Sequence, residues 1–61
     1  GELQWIQYGI IGRDNIDLPS IIRPQGHFVY YYWYKNGFVH KKMSYLVSEK
    51  EHEYKHYYKS F

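Results

Sequence analysis

The dipeptide Asn36-Gly37 constrains this chain more than any other feature, because it separates two runs rich in β-branched and aromatic residues, Phe28 to Tyr34 and Phe38 to Val47. Both central residues of a two-residue type I′ turn need positive φ, which Asn and Gly tolerate best, so the dipeptide predicts a tight β-hairpin. In such a hairpin Tyr34 faces Val39, Trp33 faces His40 and Tyr32 faces Lys41. Alternation of side chains then divides the hairpin into two faces. One collects Phe28, Tyr30, Tyr32, Tyr34, Val39, Met43 and Tyr45, with Lys41 as its only charge, and reads as a core face. The other collects Val29, Tyr31, Trp33, Lys35, Phe38, His40, Lys42 and Ser44, a mixture of rings and cations suited to a ligand.

The hairpin needs something to cover its core face, and the chain supplies it after residue 47. Ser48-Glu49-Lys50-Glu51 matches the S-x-x-E capping box, so a helix is expected over 48–61. Tyr54, Tyr57, Tyr58 and Phe61 follow at helical spacing and form an apolar stripe, and Glu51 with Lys55 makes a favourable i, i+4 pair. Before the hairpin, residues 12–26 contain two prolines, two glycines and an Asp-Asn pair, which predicts a loop with Ser20 to Arg23 as a short edge strand. Residues 1–11 form an N-terminal strand or arm: Trp5, Ile6, Tyr8, Ile10 and Ile11 favour a strand with a bulge or bend at Gly9. Helical spacing of Leu3, Ile6 and Ile10 keeps a helix open there. The expected fold is α+β: a small twisted antiparallel sheet of two to three strands on one C-terminal helix, all within one small binding domain of 61 residues.

At this length a chain buries only about 60% of the surface it exposes when unfolded. It has no cysteine, so neither disulfides nor thiolate metal sites support it. Its core must come from the nine Tyr, three Phe and two Trp, and some of those rings must stay at the surface. Charge is uneven: residues 1–25 carry two Arg against three acids, whereas residues 27–47 carry Lys35, Lys41 and Lys42 and no acid. The positive potential thus lies on the most aromatic stretch. Without a long apolar run or a leader-like start, the chain reads as soluble and intracellular, cytoplasmic or nucleoid-associated, with no membrane partner.

Catalysis needs a polar group held in a desolvated pocket with an orienting partner, and so short a chain has little room for one. The serines Ser44, Ser48 and Ser60 read as sheet, cap and terminal residues, and Glu49, Glu51 and Glu53 suit the positive end of the helix dipole. Glycines 9 and 12 are isolated and make no phosphate loop. His52 and His56 have the spacing of two metal ligands, but they stand between Lys55 and Lys59 with no third ligand, and read as a surface pair. The chain is therefore expected to be no enzyme, with no cofactor, metal or small-molecule substrate. Lys35, Lys41, Lys42 and His40 can meet phosphates, while Tyr31 and Trp33 can pack on sugars or bases, and a narrow β-ribbon fits the major groove. The plain alternative is a solvated sheet face, or one covered by residues 1–11.

The order of loop, hairpin and helix, with Arg13-Asp14, Asp17-Leu18-Pro19, Arg23, Gly26 and Tyr30-Tyr31-Tyr32 ahead of Asn36-Gly37, resembles the arm-binding domain of lambda-type phage tyrosine recombinases, whose sheet is AP2-like. The resemblance covers roughly residues 13–61 and implies a module from a virus or mobile element that inserts its sheet into the major groove of double-stranded DNA. It implies contacts from Arg23, Tyr31, Trp33, Lys35, His40 and Lys42. A protein-interaction or homodimerisation module using the same aromatic surface is the alternative, and a single-strand or RNA-binding sheet a lesser one.

Overall fold

Asn36 and Gly37 take φ of 54° and 82° in the structure, a computed structural model that describes residues 1–60, the side chain of Ser60 apart. The expected tight turn forms, and it joins the two longest strands. Six strands and one helix follow the order β1 (Leu3–Gln4), β2 (Ile6–Gln7), β3 (Ile10–Ile11), β4 (Ile21–Gln25), β5 (Phe28–Lys35), β6 (Phe38–Leu46) and α1 (Val47–Ser60). The main sheet has four antiparallel strands in the order β1-β4-β5-β6, and β2 pairs with β3 in a second sheet of two. The α+β expectation holds, but the sheet is larger than two or three strands.

The added strands come from turn chemistry. Gly26, at φ 62°, opens a two-residue connection between Gln25 and Phe28, as a type II′ turn requires of its first central position. That turn extends the expected edge strand at 20–23 into β4, which lies inside the sheet between β1 and β5. Pro24 is tolerated because the two residues of β1 pair only with Ile21 and Ile22, leaving β4 an open edge beyond them. In the first eleven residues Tyr8 and Gly9, at φ 54° and 76°, turn the chain between Ile6–Gln7 and Ile10–Ile11. The helical alternative for this segment is excluded.

One irregularity decides which way the molecule faces. Tyr34 pairs with Val39 as expected, but Trp33 pairs with Lys41 and Tyr32 with Lys42, so His40 is an extra residue in β6. A β-bulge of this kind shifts every later pair by one, and a one-residue shift exchanges faces. Tyr31 therefore lies opposite Met43 and Val29 opposite Tyr45. The core face of β5 is Val29, Tyr31 and Trp33, the reverse of the expected assignment, while Lys41, Met43 and Tyr45 of β6 keep theirs.

Leu3, Ile22, Val29 and Tyr31 form the buried core, and Trp5, Trp33, Tyr45, Val47, Tyr54, Tyr57 and Tyr58 pack around it. Tyr31 is its largest member at 1% exposure, with the rings of Trp33, Tyr45 and Tyr57 centred 5.4–6.3 Å away. The helix thus presents the expected tyrosine stripe; Phe61, its fourth member, lies outside the described residues. The helix starts at Val47, whose amide donates to the carbonyl of His27 at 2.8 Å, so Ser48 sits inside the first turn and not at the cap. Glu51 turns forward to Lys55 at 2.7 Å, as expected of that pair.

Candidate nucleic-acid interface

Cross-strand pairing places Arg23 beside Tyr30, and Tyr30 beside Ser44, while Tyr32 pairs with Lys42. Opposed residues share a face, so Arg23, Tyr30, Tyr32, Lys42 and Ser44 stand together on the side of the sheet away from the core and helix. Phe28, Gln25 and Leu46 extend that face toward the other end, and all three are exposed.

Tyr32 is its centre. The guanidinium of Arg23 lies 5.1 Å from the Tyr32 ring centroid and donates to its hydroxyl at 3.3 Å. From the opposite strand the ammonium of Lys42 lies 5.6 Å from the same centroid. Two cations from neighbouring strands are therefore held by one ring, at the sheet surface and in reach of an anion. Arg23 also donates to the carboxylate of Glu2, which accepts a second hydrogen bond from Gln4. The Arg23 bond, then that of Gln4, hold the Glu2 carboxyl below the usual carboxylate range, and the same contact with Glu2 raises Arg23.

The structure separates the seven expected contact residues into three groups. Arg23 and Lys42 come together on the face away from the helix, where Ile21, paired with Tyr32, is itself buried at 3% exposure. Lys35 and His40 are exposed near the Asn36-Gly37 turn, His40 as the bulge residue. Tyr31, Trp33 and Lys41 belong to the helix side, and for them the expectation is corrected. Tyr31 is core; the indole N–H of Trp33 donates to the carbonyl of Asp17 at 3.1 Å; and Lys41 lies 4.7 Å over the Trp33 ring. Tyr30 and Tyr32 take their place at the surface. They were legible in principle: a two-residue turn at Gly26-His27 pairs Arg23 with Tyr30, and a charged residue between Ile22 and Pro24 marks the solvent face.

On the helix side, Arg13 stacks 4.0 Å over Trp5, lies 5.9 Å from the Tyr57 ring and donates to the carbonyl of Pro19 at 3.1 Å. Desolvation there lowers its pKa. It lines an open recess of about 490 Å³ with Leu18, His52, Glu53, His56 and Tyr57. Among the described residues, no three His, Cys, Asp or Glu side chains gather as a metal site requires. No described helix is long and apolar enough to cross a membrane. Compared with known proteins, the chain matches no protein family, no curated protein and no solved structure.

Proposed function

We propose that the chain is a non-catalytic module that binds double-stranded DNA by laying the face of β4, β5 and β6 opposite the helix, from Arg23 and Tyr32 to Leu46, in the major groove. The observation that carries this reading is Tyr32 with Arg23 and Lys42 gathered over its ring on the face opposite the helix. Three strands spaced about 4.8 Å apart span roughly the width of a major groove of about 12 Å. Arg23 and Lys42 meet phosphates or guanine, Tyr30 and Tyr32 pack on sugars or thymine methyls, and Lys35 and His40 reach the flanking backbone from the turn. A three-stranded meander backed by one helix is also what the likeness to recombinase arm-binding domains implies.

The test is a fluorescence-anisotropy titration of random-sequence duplex at low and physiological salt. Binding should weaken steeply with salt; Arg23→Gln and Lys42→Gln should each lower affinity and flatten the salt slope by about one. No binding at low salt, or unchanged affinity in both variants, overturns the reading; preference for single strands would make the tyrosines stacking platforms instead.

A protein-interaction module is the second reading, favoured by the apolar residues about the two type I′ turns. Tyr8 is fully exposed, Phe38 is 76% exposed, and Ile10 lies against Gly37. A dimer in size-exclusion chromatography that ignores salt, without DNA affinity, fits only this reading.

A further inference from the structure

β6 is an outer strand of the main sheet, nine residues long, with every residue but Tyr45 exposed. Its partner on one side is β5, and its other edge carries backbone donors and acceptors that no strand of the sheet pairs. Beyond the bulge at His40, Lys41 to Leu46 pair with Trp33 to Phe28 in unbroken register, so the edge runs regularly for about 20 Å. Along it Lys41, Met43 and Tyr45 alternate with Lys42, Ser44 and Leu46, and Met43 and Leu46 are large apolar side chains left 40% and 41% exposed.

We propose that this edge, Lys41–Leu46, receives an extended protein segment that carries acidic residues next to apolar ones and adds to the sheet as a fifth strand. Main-chain hydrogen bonds would supply affinity and the flanking side chains selectivity, as in other strand-addition complexes. Charge fixes the occupant. Residues 27–47 hold three lysines and no acid, so adjacent carboxylates on the added strand would face Lys41 on one side of the sheet and Lys42 on the other. Two copies joined antiparallel along Lys41–Leu46 would instead set Lys41 opposite Leu46 and Lys42 opposite Tyr45, which gives none of the four lysines a carboxylate across the seam. Apolar residues further along would cover Met43 and Leu46. This surface shares Lys42 with the DNA reading, whereas Lys41, on the helix side of the sheet and over the Trp33 ring, belongs to strand addition alone.

The experiment is amide hydrogen exchange of the full chain with three synthetic peptides at equal concentration. One is Val-Thr-Thr-Val-Glu-Glu, one has both Glu replaced by Lys, and one has the second Val replaced by Pro, which cannot complete a strand ladder. The acidic peptide should slow exchange of the outward amides of Lys41–Leu46 at least tenfold, while the lysine and proline peptides leave them unchanged. Lys41→Glu, with Lys41→Gln as a milder second variant, should abolish most of that protection while circular dichroism stays that of the parent. The proposal is overturned by equal protection from the acidic and lysine peptides, by protection that depends on chain concentration without peptide, or by effects confined to Arg23, Tyr30 and Tyr32. Absence of protection with all three overturns it as well.

Discussion

Tyr31 holds the core together while carrying a hydroxyl that, among the described residues, meets no partner; Ser20 and Tyr58 carry two more. Burying an unpaired hydroxyl costs about 1–3 kcal/mol, whereas the ring keeps its apolar gain. Tyr31→Phe should therefore stabilise the fold by about 1 kcal/mol at pH 7, read as a higher urea midpoint with an unchanged slope. Glu2 poses the opposite question, because its carboxylate occupies the arginine of the proposed interface. Both side chains are partly exposed, at 27% for Glu2 and 44% for Arg23, so the pair contributes at most about 1 kcal/mol to folding. Glu2→Gln should leave the melting temperature within a few degrees and tighten duplex binding several-fold at low salt. Weaker binding by this variant would mean that Arg23 needs Glu2 to hold it in place.

Among the elements, the turns were the most legible and the register was the least. Asn36-Gly37 announced its hairpin because few dipeptides accept two positive φ values, and Tyr54, Tyr57 and Tyr58 announced the packed side of α1 through their spacing. The bulge at His40 had no such mark. With rings at Phe28, Tyr30, Tyr32 and Tyr34 on one side of β5 and at Tyr31 and Trp33 on the other, hydrophobicity could not tell the two apart. One extra residue in β6 was then enough to reverse the assignment, and with it Tyr31 and Trp33 passed from the interface to the core. Ser48 misled for a related reason: β6 continues its sheet bonding through Val47, which fixes the start of the helix before the serine can cap it. The Tyr8-Gly9 turn shows where sequence and geometry conflict, since a tyrosine at φ 54° is strained by about 1–2 kcal/mol and makes no compensating burial. Tyr8→Asn should raise stability by about 0.5–1 kcal/mol, seen as a shift in thermal midpoint.

For the whole molecule, a core of tyrosines has an acid-base consequence. Burial raises the hydroxyls of Tyr31, Tyr57 and Tyr58 above their ordinary range, with nearby Glu53 adding to the first two and Tyr54 to the third. An unfolded tyrosine loses its proton near pH 10 while the folded one keeps it, so these groups leave stability untouched below about pH 10 and erode it as pH rises further. Unfolding by circular dichroism should show one alkaline transition, and the last step in tyrosinate absorbance at 295 nm, that of the core rings, should coincide with it. Tyr31→Phe should move it to higher pH. Separate transitions would place the ionising rings outside the core. The same three tyrosines give the molecule its polarity: they draw the helix onto one side of the sheet and leave the other to Arg23, Tyr30, Tyr32 and Lys42.

Glu2 stands just before β1, which pairs Leu3 with Ile22 and Gln4 with Ile21 and is followed by the Trp5 amide donating to the carbonyl of Ser20 at 2.9 Å. Leu3 is anchored in the core, but Glu2 lies outside the last residue pair, where a chain end can fray while β1 and the β4-β5-β6 meander stay paired. The supply of unoccupied Arg23 is then set by the fraying of one terminal residue and not by unfolding of the domain, so an arriving polyanion competes with a single partly exposed carboxylate.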